Sequence, residues 1–268
     1  FSPAMVNALL AGRKTETRRI LKPQPYKIPD RQGLAWLPGD FAWPTGTGSQ
    51  IISNRPHPPQ GYLDKYHNTP TAPGDLIWVR EGWRVGAWRT EQWSRGNGEC
   101  DADIAIDYLA DGFARREWLN GDDPEMMLRL VDQSRDDAKK DGRFKQDAEL
   151  QYRWSAGDSP CRKRPSIHMP KFASRMTLRV TSYGIERLQD ISSKACLAEG
   201  IKPDFEILDN ISAAHSEKHR RDEYHRAHVS AYAQLWNRIN GEGAWDANPW
   251  VDVTKFEVLQ QNINAVAA

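Results

Sequence analysis

Apolar positions along this 268-residue chain fall into two spacings, helical and alternating, separated by long polar stretches. At the start, Met5, Val6, Leu9 and Leu10 recur at helical intervals behind Ser2 and Pro3, and Ala11-Gly12 ends the run. Residues 2–11 are therefore predicted as a short helix, with Ser2 as N-cap, Pro3 at the first helical position and Gly12 as the stop. The stretch PGDLIWVREGW, residues 73–83, is a Pro-Gly-Asp turn followed by alternating apolar positions, a strand signature. A further strand is expected at Met176–Ser182, with a second extended piece into Leu188. DISSKACLAEGI reads as a helix with a Ser or Asp cap and Gly200 at its end. HRRDEYHRAHVSAYAQLWNRING reads as a longer helix with Val229, Tyr232, Leu235, Trp236 and Ile239 on its apolar face. PWVDVTKFEVL forms a closing strand through Val251, Val253 and Phe256, and the Ala-rich tail, 259–268, is expected to fray.

Two segments break this order. Residues 23–73 are rich in Pro, Gly, Asn and aromatics and read as an irregular surface excursion. Residues 84–160 are polar, with DPEMMLRLVDQSRDDAKK as the convincing amphipathic helix, and read as an insertion. Charge separates that insertion from the rest: it holds 12 Lys+Arg against 17 Asp+Glu, a balance of −5, which leaves +6 elsewhere. A modestly basic framework suits phosphate-bearing ligands but lacks the dense basic stripe of a tight duplex binder.

Composition narrows the class. At 39% hydrophobic residues the chain can bury a sizeable core. Cys100, Cys161 and Cys196 form no C-x-x-C pair, which argues against a disulfide framework or a cysteine zinc site and fits a reducing, cytoplasmic setting. No apolar stretch approaches the roughly 20 residues that span a bilayer, so no membrane association is expected.

The chemistry-bearing residues cluster directly after the first helix, where Arg13, Lys14, Arg18 and Arg19 are interleaved with Thr15 and Thr17. LLAGRKTETRR resembles the G-x-K-x-x-x-x-R signature of ASCH domains, relatives of the PUA fold, with Gly12, Lys14 and Arg19 at the signature positions. PGDLIWVRE resembles the strand such domains place near their ligand pocket, and RLQDISSKACLAEGI their short helix after a central strand. The whole is similar to large ASCH-like proteins of bacteriophages and prophages. The resemblance implies an α+β fold, a partly closed β-barrel with flanking helices, formed here by 1–83 and 161–258 around the 84–160 insertion.

One branch of that family, small bacterial N4-acetylcytidine amidohydrolases, removes an acyl group from cytosine with a Lys, a Thr three residues later and a Glu. The resemblance carries these roles to Lys14, Thr17 and Glu199. Such a reaction needs a nucleophile, a base, an oxyanion donor and an acid for the departing amine. Thr17 attacks or orients water, Lys14 is the base and Glu199 relays the proton. Lysine, with a reference pKa of about 10.4, needs its neutral form favoured, and burial beside Arg13, Arg18 and Arg19 works in that direction.

Substrate-binding candidates are Arg13, Arg19, Trp78, Arg80, Glu81 and His168, with Arg80 and Glu81 also read as a structural ion pair flanking the pocket. Trp78 and Trp83 offer faces for stacking a base. His215 and His219, and His225 and His228, have ligand-like spacing on a helix, but no H-E-x-x-H pattern or cysteine pair completes a metal site, and no cofactor is expected. The expected ligand is a small modified nucleoside. The alternatives are a non-catalytic module for modified RNA or other single-stranded nucleic acid and, third, a ribonuclease.

Overall fold

The computed structural model describes residues 1–22, 24–27, 41–44, 50–53, 71–92, 100–115, 117–146, 152–201 and 216–267. The protein is mixed α/β, with a curled half-barrel sheet and flanking helices. The chain forms two compact units, Phe1–Leu10 with Leu76–Leu178 and Val258–Ala268, and Ala11–Asp75 with Arg179–Glu257.

In the second unit, β1 (Glu16–Ile20) pairs antiparallel with β9 (Trp250–Leu259), Glu16 opposite Lys255 and Ile20 opposite Val251. The sheet continues β1-β9-β8, where β8 is Thr177–Arg187; the short strand β5 (Leu76–Trp78) belongs to the first unit. Helix α3 (Ser193–Ala198) begins where Ser192 Oγ accepts from the Ala195 amide at 3.2 Å, and Gly200, at φ +89°, turns the chain away past its end. Helix α4 (Glu217–Asn240) starts likewise at Ser216, whose hydroxyl accepts from the His219 amide. Tyr232 and Trp236, four residues apart, turn one face of α4 onto a core of Leu188, Ile191, Cys196, Val251 and Val253.

The first unit begins with α1 (Pro3–Leu10), capped by Ser2 as its sequence predicts, the Met5 amide donating to Ser2 Oγ at 3.4 Å. Strands β6 (Trp83–Gln92) and β7 (Cys100–Tyr108) form an antiparallel hairpin. Helix α2 (Pro124–Asp141) matches the amphipathic run; Asp123 caps it through the Met126 amide at 3.0 Å, and Gly142, at φ +71°, closes it.

Several expectations change here. Residues 84–160 do not stand apart as an appended insertion: Val85, Ile104, Ile106, Tyr108, Met127 and Val131 share one core with Trp83, Cys161, Met169 and Ala173. Charge spacing on solvent faces masked the apolar inner faces of β6, β7 and α2. The tail does not fray throughout, because β9 runs to Leu259 and α5 (Ile263–Ala267) follows. Asn262 anchors that helix by donating to the carbonyls of Lys171, Phe172 and Ser174 at 3.0, 3.1 and 2.7 Å. The 23–73 excursion contains a small antiparallel sheet in the order β2-β3-β4, formed by Tyr26–Lys27, Phe41–Pro44 and Gln50–Ser53; most of its other residues lie outside those described. The two extended pieces expected at 176–188 are the single strand β8.

Candidate functional site

Gly12, at φ +66°, lets the chain reverse after α1, and the next residues are laced onto the end of α3. The Thr15 amide donates to the Ala198 carbonyl at 2.7 Å, and Lys14 forms an isolated antiparallel bridge with Glu199. Backbone pairing therefore brings together two residues 185 positions apart in sequence, and their side chains meet at 2.6 Å, Lys14 Nζ to Glu199 Oε2. Lys14 Nζ also donates to the carbonyls of Glu16 at 2.9 Å and Glu199 at 3.0 Å, which engages all three ammonium hydrogens. Lys14 is 1% exposed and Glu199 6%.

Arg18 links this pair to further carboxylates. Its guanidinium donates to Glu199 Oε1 at 3.2 Å, Glu16 Oε2 at 3.1 Å and Glu186 Oε1 at 2.8 Å. Burial works against the Arg18 charge, but Glu186 and Glu199 outweigh it and hold its pKa above the ordinary arginine value. Tyr232 Oη donates to Glu199 Oε1 at 3.4 Å; burial, reinforced by the Glu199 charge, pushes its pKa well up and keeps it a neutral donor. The nearby Cys196 thiol is pushed up to about 12, mainly by burial, which leaves it unreactive. The expectation that neighbouring arginines crowd Lys14 with like charge gives way to the opposite arrangement: its immediate partners are a carboxylate and two carbonyls, and Arg18 is itself neutralised.

Alternation along β1 divides the signature between two faces. Glu16 and Arg18 are buried toward α3 and α4, whereas Thr17 is half-buried and Arg19 exposed. The register sets Thr17 opposite Thr254 and Arg19 opposite Asp252, so these four share the other face. Asp252 is buried there, and that burial raises its pKa to about 6 against the lowering effect of Arg19.

Among the sequence candidates, the structure thus joins Lys14 to Glu199, and Arg13 lies beside them, its guanidinium donating to the Gly200 carbonyl at 3.3 Å. It does not put the Thr17 side chain on the Glu16–Arg18 face. Trp78, Arg80, Glu81 and His168 belong to the first unit. The Arg80–Glu81 ion pair does not form: Arg80 lies over the Trp78 ring at 5.1 Å, while Glu81 turns inward and is held by Arg175 at 2.9 Å through both oxygens. Arg80 is exposed and Glu81 buried, which separates the two charges. Trp83 is 1% exposed and has no face free for a base. His168 is exposed at the end of a 3₁₀ turn, Ser166–His168.

Sequence reasoning missed Glu16, Glu186, Tyr232 and Asp252, and gave Arg18 only as a like charge beside Lys14. Glu16 and Arg18 were legible as the i+2 and i+4 positions from Lys14 on a strand entering a core; the others come from distant elements with no local signal. Among the described residues, no group of three or more His, Cys, Asp or Glu side chains is placed to hold a metal ion. His225 Nδ1 meets Ser193 Oγ at 2.8 Å, His228 Nδ1 meets the Tyr224 carbonyl at 2.6 Å, and His215 lies outside the described residues. No helix among the described residues is long and apolar enough to cross a membrane. Comparison with family models, curated proteins and solved structures returns no significant match.

Proposed function

We propose that the chain is an ASCH-type, PUA-like hydrolase that cleaves the amide of an N4-acylated cytosine nucleoside or a related nucleobase amide. The observation that carries this reading is the 2.6 Å contact between Lys14 and Glu199 in a site nearly closed to water. The scheme begins with transfer of one ammonium proton to Glu199 Oε2, which leaves a neutral amine and a neutral acid. The amine then takes a proton from water as its oxygen bonds to the acyl carbon. The carbon–nitrogen bond breaks, the exocyclic nitrogen receives the proton returned through the pair, and the products are a carboxylic acid and free cytidine. Thr17 orients the attacking water, or in the alternative order its Oγ gives its proton to the amine and takes the acyl group as cytidine leaves with the returned proton, after which water hydrolyses the ester to the carboxylic acid. Arg19 and Arg13 meet the ligand's phosphate or carbonyl oxygens. This scheme requires the acyl carbonyl to lie at the start of β1, within three residues of both Lys14 and Thr17.

A second reading, a binding module without turnover, draws support from the saturation of Lys14: all three of its N–H groups are engaged in the resting protein. Incubation of the purified protein with N4-acetylcytidine, followed by the ultraviolet change as cytidine forms, separates the two. The hydrolase reading expects cytidine at a rate unchanged by EDTA, since the protons come from side chains. Retention of intact N4-acetylcytidine, together with gel-shift binding of modified or single-stranded RNA, selects the binding module.

A further inference from the structure

The first unit contains a cleft of about 380 Å³ lined by Ala87, Trp88, Trp118, Tyr152, Arg153 and Trp154. Its construction begins at Gly86. The β6–β7 register slips there, with Val85 opposite Ile106 but Ala87 opposite Ala105, so one extra residue bulges from β6. A Cβ on Gly86 would lie 2.5 Å from Asp107 Oδ1, so a side chain here would displace the Asp107 carboxylate. The bulge reverses the alternation: Trp83 and Val85 face the core before it, and Trp88, opposite Ile104, packs against that core after it. Ala87, Ala105, Arg89 and Asp103 then share the other face. Trp154 Nε1 donates to the Gly86 carbonyl at 2.5 Å, which fixes the Trp154 ring tilted against Trp88 at 5.2 Å, with Tyr152 6.4 Å from Trp88. Trp118 is 42% exposed, and the Arg89 guanidinium lies 5.0 Å from its ring centroid.

We propose that this cleft binds an unpaired nucleobase together with its phosphate, as a free nucleotide or within a single strand, with the base stacked on Trp118 and Arg153 meeting the phosphate. Aromatic walls accept any base by stacking, and the volume suits one nucleotide. A cationic occupant is disfavoured: Arg89 already lies over Trp118, and the adjacent carboxylates Asp103 and Asp107 are engaged by Arg89 and Arg84. A duplex offers no unstacked base to such a cleft. The assignment is independent of the Lys14–Glu199 reading, since every residue it uses belongs to the first unit.

The test is fluorescence anisotropy of the full chain with fluorescein-labelled oligo-U and oligo-dT 12-mers and a 12-base-pair duplex, with AMP and UMP as competitors. The proposal expects single strands to bind at least about 10-fold more tightly than duplex. Trp118→Ala should weaken binding by about 10-fold, the scale of one lost stacking contact, and Trp118→Phe by less. Arg153→Ala should weaken binding and flatten its salt dependence. Full competition by AMP or UMP with no gain for the 12-mer assigns the cleft to free nucleotides; a clear gain assigns it to a strand. The exposure of Trp118 leaves the fold intact in its variants, checked by an unchanged thermal midpoint. Absence of binding to every probe, or identical binding by wild type, Trp118→Ala and Trp118→Phe, overturns the proposal.

Discussion

Each unit holds a cluster of opposite charges, and the two clusters differ in the cation at their centre. In the first unit, Arg175 holds Glu81 and Asp111 with four contacts of 2.9 Å and lies 4.1 Å from the Tyr108 ring. Burial opposes the Arg175 charge, but both carboxylates outweigh it and hold its pKa above the arginine range. An arginine so placed never gives up its proton, so this cluster is a clamp. In the second unit the innermost cation is a lysine, held at 2.6 Å from Glu199, and lysine, unlike arginine, is a residue type used as a general base. Arg18 plays the clamp there, donating to Glu16, Glu186 and Glu199. Buried charge by itself therefore marks architecture; a buried pair able to exchange a proton marks a candidate site.

The largest way to break this comparison is to remove the scaffold of one unit. Replacing residues 90–155 by a Gly/Ser linker takes Ile104, Ile106, Tyr108, Met127 and Val131 out of a shared core, and the first unit should lose its cooperative transition in calorimetry. Survival of that transition would make the segment a true appendage. Arg175→Ala leaves Glu81, 1% exposed, without its partner and should cost about 3–5 kcal/mol in chemical denaturation, with turnover per folded molecule unchanged. A cost below about 1 kcal/mol would show that the clamp does not hold.

Asp252 gives a smaller, pH-resolved effect. Its folded pKa, about 6, lies above the ordinary 3.8, so the folded state keeps a proton that the unfolded chain has released between these values. Its contribution to stability is full below about pH 4, declines as pH rises toward 6 and stays low above it. Asp252→Asn removes that loss and should raise the thermal midpoint at pH 8 by several degrees relative to wild type, with little change at pH 4. Equal shifts at both pH values would show that Asp252 is not titrating in this window.

How much of this was legible depended on how local the signal was. The caps Ser2 and Ser192, the stop at Gly12 and the amphipathic runs of α2 and α4 rest on residues within one turn of each other, and their elements form as read. The pairing of Lys14 with Glu199 entered only through resemblance, because no pattern within one stretch connects residues 185 apart. The shared core of residues 84–160 was hidden because its apolar positions are diluted by Asp and Arg on solvent faces. The division of Lys14 and Thr17 between settings was hidden too, since the signature spacing of three does not say where β1 begins.

The central claim, that Lys14 exchanges a proton with Glu199, is tested most directly by the initial rate of cytidine release from N4-acetylcytidine by wild type and Lys14→Arg, each normalised to folded protein. Arginine keeps the positive charge and the contact to Glu199 but supplies no free base at any working pH. The account predicts that wild type turns over and that Lys14→Arg falls by at least about 100-fold while still folding. A Lys14→Arg protein that hydrolyses the substrate at near wild-type rate would make Lys14 a clamp like Arg175 and contradict the account.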